Sequence, residues 1–245
     1  MTVSKYRRLF YNLKPTCERR AKMKYRCERK HEISYGDMLV LEQRLSAIMK
    51  PDEHAKDGKY LVRSLYFDNA SDKALREKID GVNIREKFRI RYYNNDTSLI
   101  RLEKKSKVNG FCLKKNATLS LEQAQAIANG DYEWMADCGI PLVQELYSKM
   151  MSQGLRPKTI VDYTREAFVF APGNVRVTLD YNIRTGMACT DFMNPNCVTV
   201  PAGDAPIILE IKWDDYLPDI IRDAVQLPNC RTGAFSKYAV CRIYG

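Results

Sequence analysis

The chain has 245 residues, with 40 Lys and Arg against 30 Asp and Glu, a formal net charge of +10 and only two His. Hydrophobic residues make up 45% and charged residues 29% of it, which suits a chain with a sizeable core and excludes a disordered, collagen-like or low-complexity one. No apolar run reaches the roughly 18 residues of a membrane-spanning helix, and the N-terminus lacks a signal-peptide pattern, so a cytoplasmic protein is expected.

Residues 1–21 are basic, contain Pro15 and read as an N-terminal arm. No Gly-, Ser- or Pro-rich linker divides residues 22–245, which read as a single domain. Lys24 to Ile33 reads as a strand. Ser34 suits an N-cap, and Met38, Leu39, Leu41, Leu45 and Ile48 follow at helical spacing to about Lys50, where Pro51 stops the helix. A polar loop leads to a strand from Tyr60 to Phe67. Asp68-Asn69 opens a helix running to about Ile79, with Gly81 placed to end it. Strands from Ile84 to Tyr93 and from Ser98 to Lys107 flank the turn Asn94-Asn95-Asp96. Asn109-Gly110 then turns the chain into a hairpin strand from Phe111 to Leu119. Ser120 with Gln123 forms a capping box for a helix to Asn129. Residues 131–153 read as one or two helices, interrupted near Gly139 and Pro141. Strands at 158–170 and 174–184 are separated by Pro172-Gly173. Residues 186–205 read as a loop with short strands. Ile207 to Trp213 is a strand, and 215–226 is helical with Pro218 in its first turn. Residues 235–242 close the chain. The turns favour antiparallel pairing.

Alternation along the strands sorts the side chains into two faces. Arg85, Lys87, Arg89 and Arg91 share a face opposite Ile84, Phe88 and Ile90. Arg101, Glu103, Lys105 and Lys107 fall together, as do Lys24, Arg26, Glu28 and Lys30. Cys112, Lys114, Asn116 and Thr118 oppose Phe111, Leu113, Ala117 and Leu119, which puts Lys115 on the apolar side. Arg176, Thr178, Asp180, Asn182 and Arg184 share a row, and Glu210 shares one with Ile208 and Lys212. One such strand is an ordinary solvated face. Their accumulation is not ordinary, because like charges on paired strands repel. An anion would neutralise them, and closing the sheet into a barrel would gather them in a lumen. The apolar faces would then point outward, under the helices at 34–50, 69–80, 131–153 and 215–226. Lys and Arg suit phosphates, and isolated Glu suit a divalent metal.

Other chemistry is less well supplied. The eight cysteines (17, 27, 112, 138, 189, 197, 230 and 241) show no CxxC spacing, so reduced thiols are expected rather than a zinc site. His31 and His54 are the only histidines available to a Ser or Cys triad. Trp134, Trp213 and Phe168 read as packing residues, and Tyr66 and Phe67 as anchors of a strand-to-helix corner.

The sequence resembles the polyphosphate polymerase domain of the vacuolar transporter chaperone (VTC) family, within the CYTH-like triphosphate tunnel metalloenzymes. The resemblance covers roughly residues 22–243 and rests on motifs that occur in order along the chain. They are Tyr25-Arg26-Cys27-Glu28-Arg29-Lys30, Ser64-Leu65-Tyr66-Phe67-Asp68-Asn69, Arg85 to Tyr93, Arg101-Leu102-Glu103-Lys104-Lys105, Tyr163 to Phe168, Leu209-Glu210-Ile211-Lys212 and Phe235-Ser236-Lys237-Tyr238.

The resemblance implies an α+β fold: an eight-stranded antiparallel tunnel barrel with a polar cationic lumen and helices packed outside. It also implies ATP-dependent elongation of polyphosphate with Mn²⁺ or Mg²⁺. By motif match, Lys30, Arg89, Arg91, Lys105, Lys114, Arg165 and Lys237 are the phosphate-binding cations. Glu210 is the metal-binding carboxylate, with Glu103 and Glu28 as helpers, while Lys87, Arg176 and Lys212 line the same faces. Ser236 either donates to a phosphate oxygen or caps a turn. Tunnel enzymes begin with Glu-x-Glu-x-Lys, where this chain has Arg26, Glu28 and Lys30; a cation replaces one carboxylate, which favours substrate charge over metal count. The SPX domain and membrane segments of the fungal VTC subunits have no counterpart in the sequence, so their regulation is not carried over. The expected partners are ATP and polyphosphate or phosphate anions, not nucleic acid. Three activities stay open on sequence: polymerase, triphosphate hydrolase in the same tunnel, or a non-catalytic polyphosphate-binding module.

Overall fold

A computed structural model describes residues 26–55, 57–109, 111–228 and 233–243. The expected N-terminal arm, Lys24 and Tyr25, Gly110, Cys17 and Cys230 lie outside the described residues.

Eight long strands form one antiparallel sheet: β1 (Cys27–Ile33), β3 (Lys59–Asp68), β4 (Ile84–Tyr93), β5 (Asp96–Val108), β6 (Phe111–Leu119), β7 (Arg156–Phe170), β8 (Val175–Thr185) and β10 (Ile207–Trp213). Two-residue strands β2 (Lys50–Pro51) and β9 (Val200–Pro201) pair with β7 and β8. The long strands run in the order β1-β10-β8-β7-β3-β4-β5-β6. The sheet curls into a half-barrel in which β1 and β6 are the edges of the described pairing, so backbone hydrogen bonds do not complete the cylinder. The helices are α1 (Tyr35–Ile48), α2 (Lys73–Ile79), α3 (Leu121–Asn129), α4 (Pro141–Gln153), α5 (Asp219–Ala224) and α6 (Lys237–Ile243). No helix among the described residues is long and apolar enough to cross a membrane.

Local chemistry sets the boundaries. Ser34 and Ser120 form capping boxes with Asp37 and Gln123. Asn94, Asn95 and Asn109 take positive φ in two-residue hairpin loops, between the pairs Tyr93–Asp96 and Val108–Phe111. The helix expected from Asp68-Asn69 begins four residues later, at Lys73. Those two side chains reach forward to cap it: Asp68 accepts from the amides of Ala74 and Leu75, and Asn69 from that of Lys73.

The convex face is apolar and covered. Against β8 and β10, α1 packs Met38, Leu41 and Leu45, and α5 adds Ile221. Against β4 and β5, α3 and α4 pack Ala124, Ile127, Val143, Leu146 and Met150. Under α4, Lys104 bridges Glu86 and Glu145, and Lys115 reaches Glu145, so Lys115 does lie on the outer side. Trp213, Phe168 and Trp134 belong to these outer layers.

Two expectations about the faces need correcting. First, α2 does not cover the convex side. Its Ala74 and Leu75 pack with Tyr238 and Cys241 of α6 against a second apolar cluster on the concave side, formed by Tyr60, Val62, Tyr66, Val161, Tyr163 and Ile208. Asp68 ties both helices there, accepting from the start of α2 and from Tyr238 Oη at 2.6 Å. The lumen is therefore part apolar. Second, alternation along β8 breaks at Asn182. Asp162 pairs with Arg184 and Thr164 with Tyr181, so β8 carries one extra residue, and Asn182 sits at φ +51°. Beyond this bulge Ile183 turns into the concave cluster, and Arg184 turns away to Thr199.

The outer core supports the half-barrel. Leu146→Ala, at a fully buried position of α4, should lower unfolding free energy by about 2–5 kcal/mol with an unchanged urea m-value. Met151→Ala, on the exposed side of the same helix, should change it by less than about 0.5 kcal/mol.

Candidate functional site

The concave face gathers nine cations, Lys30, Lys87, Arg89, Arg91, Lys105, Lys114, Arg165, Lys212 and Lys237, around four carboxylates, Glu28, Glu103, Asp180 and Glu210. Each carboxylate serves several cations, and two subclusters result.

In the first, Glu103 is almost fully buried. It accepts from Arg89 Nε at 2.7 Å, pairs with Lys114 at 2.5 Å and lies 3.8 Å from Arg91. Burial alone would raise its carboxyl, but Arg89, Arg91 and Lys114 hold it well below the ordinary range. The two arginines are oriented further. Arg89 donates to Tyr66 Oη at 2.7 Å, and Arg91 donates to Ser64 Oγ at 3.0 Å and Tyr163 Oη at 3.1 Å.

In the second, Lys30 bridges Glu28 at 3.0 Å and Glu210 at 3.1 Å, and Lys212 pairs with Glu210 at 2.6 Å. Burial opposes ionisation of Glu210, yet Lys212, Lys30, Arg165 and Lys237 keep its carboxyl strongly depressed. Glu28 is lowered too, against burial and its neighbour Glu210, by Lys30, Lys105 and Lys212. Asp180 is fully buried and takes a bidentate pair from Arg165 at 2.6 and 2.7 Å, plus Lys237 Nζ at 2.6 Å. The ring of Tyr163 lies between the clusters, with Lys237 Nζ 4.7 Å and Arg165 Cζ 5.3 Å from its centroid.

Side chains span what the backbone leaves open: Glu28 of β1 meets Lys105 of β5 at 3.6 Å. Arg176 stands apart, bound to Asp52 at 2.7 Å and Tyr60 Oη at 2.6 Å. Ser236 acts at the start of α6, where its hydroxyl faces the Ala239 amide at 3.4 Å. His31 alternates with Lys30 onto the convex face of β1, and His54 is exposed. Tyr92 packs on Phe192 outside, whereas Tyr93 sits edge-on to Tyr60. Six described cysteines are free thiols. No cluster of three or more metal-ligating side chains occurs among the described residues, and Glu103 lies apart from Glu28 and Glu210.

Asp180, Tyr66, Tyr163 and Ser64 were not among the expected site residues. Alternation carried the signal for three of them: Asp180 falls in the row of Arg176 and Thr178, and Ser64 and Tyr66 pair with Arg91 and Arg89. Tyr66 is thus more than a corner anchor.

The VTC domain family matches residues 25–243. Among solved structures, a Bacillus halodurans protein described as a candidate adenylate cyclase is similar at 15% identity and TM-score 0.47, covering 84% of this chain and 94% of its own. A Vibrio parahaemolyticus protein described likewise gives 10% identity and TM-score 0.43, covering 82% of each chain. A Pyrococcus horikoshii protein gives 12% identity and TM-score 0.39, covering 82% and 85%. No curated protein matches the sequence.

Asp180 offers a direct test of the electrostatics. Its carboxyl is depressed from 3.8 to about 2, because Arg165 and Lys237 outweigh the burial that opposes ionisation. A depressed carboxyl stabilises the fold above its unfolded pKa, and that stability is lost as pH falls through the folded one. The contribution is roughly 2 kcal/mol, lost between about pH 4 and pH 2. Asp180→Asn should be less stable at neutral pH, and its acid-unfolding curve should lack this component.

Proposed function

The chain belongs to the VTC domain family, and from that premise we propose that it is a phosphotransferase moving the terminal phosphate of ATP onto a polyphosphate chain held in the cationic half-barrel. The observation that carries the reading is the surplus of nine cations over four carboxylates on one concave face. A polyanion supplies the missing charge.

Phosphoryl transfer needs positioning and charge neutralisation more than covalent help. Arg89 and Arg91 are held by Glu103, Tyr66, Ser64 and Tyr163, so their remaining N–H groups can meet phosphate oxygens without reorganisation. Lys114 acts as a point charge beside them, and Lys30, Lys105, Arg165, Lys212 and Lys237 do so around Glu28, Asp180 and Glu210. The acceptor, a terminal phosphate, is already anionic and needs no strong base. This agrees with the placement of both histidines away from the concave face.

Glu210 and Glu28 are the pair that suits Mn²⁺ or Mg²⁺. Both are held ionised, both approach Lys30, and two carboxylates leave further positions for phosphate oxygens. A divalent cation held by Glu28 and Glu210 would supply Lewis-acid charge that withdraws electron density from the phosphate. Glu103 instead serves to hold the arginines.

A second reading, hydrolysis of a triphosphate in the same site, is favoured by one feature: α6 and the apolar cluster occupy part of the concave side. Product analysis separates the readings. Protein incubated with ATP and Mn²⁺ should give polyphosphate and ADP, whereas released phosphate without polymer would establish hydrolysis. Arg89→Ala and Glu210→Gln should each lower turnover by about 10²–10³-fold, with Glu210→Gln retaining triphosphate binding. ATP bound but unchanged would leave only a binding module.

A further inference from the structure

Tyr66 lies on the concave row of β3 and is 3% exposed. Its hydroxyl oxygen accepts from Arg89 Nη1 at 2.7 Å. A guanidinium accepts nothing in return, and the hydrogen bonds of the described residues offer the phenol's own proton no acceptor. Tyr238 of α6 stacks on the ring at 5.0 Å but donates its hydroxyl to Asp68. On the other side, Lys87 Nζ and Arg89 Cζ each lie 5.7 Å from the Tyr66 centroid. Lys30, Lys105 and Lys114 each have a carboxylate partner. For Lys87 the described residues provide the Tyr66 ring instead.

The groups facing Tyr66 are thus Lys87, Arg89 and Arg91 of β4 and Tyr238 of α6. Asp68 lies behind Tyr238, and Glu103 of β5 reaches Tyr66 only through Arg89. Burial alone would raise the phenol, but Arg89, Lys87 and Arg91 outweigh it and bring it down to about 7. Burial likewise lowers Lys87 to about 8, against the attraction of Tyr66 and with the help of Arg89, Lys105 and Lys30.

Resting on the phosphate-tunnel reading above, we propose that Tyr66 is an anion-binding residue whose phenolate takes up a proton as a triphosphate enters and then donates a hydrogen bond to one of its oxygens. One phenol O–H bond forms as a buffer acid in solvent gives up its proton and becomes its conjugate base, and no bond of the triphosphate changes. The phenolate balances Lys87 and Arg89 while the site is free of anion. Once protonated, it leaves their charge to the ligand and turns from a repelling oxygen into a donor.

The sign follows from linkage. Tyr66 holds more proton in the bound state, so affinity for triphosphate rises as pH falls through about 7. Above that pH it weakens by up to about tenfold per pH unit.

The test uses the full chain and inorganic triphosphate, read by near-ultraviolet tyrosinate absorption and by calorimetry in buffers of different ionisation enthalpy. Free protein at neutral pH should show a tyrosinate band. Saturation with triphosphate should remove it, with uptake of up to one proton. Tyr66→Phe keeps the ring that stacks on Tyr238 and should abolish both signals, with weaker binding of flatter pH dependence. Lys87→Met should lose the band at neutral pH while retaining Tyr66. Triphosphate binding that leaves the band intact, or a free protein with no band, overturns the role of Tyr66 alone. Absence of any binding heat in the unaltered protein overturns both this role and the phosphate-tunnel reading.

Discussion

Nine cations on one concave face repel one another, and the rest of the architecture answers that repulsion. Burying an unpaired charge costs several kcal/mol. The fold therefore keeps four carboxylates among the cations and shares each between partners. Glu103 serves two arginines and a lysine, Asp180 serves Arg165 and Lys237, and Glu210 serves Lys30 and Lys212. The sharing is incomplete, so the chain stays folded while a net positive field remains directed at the interior.

The carboxylates also fix direction. A guanidinium held at Nε and one Nη has its remaining N–H groups pointed. Arg89 and Arg91 are each tied by an oxygen from β3 or β5, which sets the plane of the fork before any ligand arrives. Tyr163 and Tyr66 add rings whose faces lie close to cations. The preorganisation that phosphoryl transfer requires is therefore built from interactions the sheet register imposes.

Outside, an apolar envelope of α1, α3, α4 and α5 holds the sheet in its curl. Inside, α6 and α2 take a different position, fastened by Asp68. One aspartate thus couples the end of β3, the start of α2 and the body of α6. It also positions Tyr238 against Tyr66, so the apolar part of the concave side and the cationic part meet at one stacked pair.

Much of this was legible in the sequence. Period-two alternation is a local property, so it placed Arg89, Arg91, Glu103, Lys105, Lys114, Glu210 and Lys212 on the inner face and Lys115 outside, as the structure has them. Helix N-caps and Asn turns depend on neighbours within four residues, and they too were readable, although the reciprocal bond of Asp37 to Ser34 was not. Contacts between distant segments were not. Only the tertiary structure decided that Asp180 would face Arg165 and Lys237, that Glu103 would sit away from Glu28 and Glu210, and that α6 would enter the concave side. The bulge at Asn182 is the instructive case: one extra residue reverses the alternation beyond it, and nothing local to β8 states which partner residue it will be spent against. Sequence sets the face of each side chain through backbone geometry, whereas pairing across the fold depends on how strands are staggered and curled, which is a property of the whole sheet.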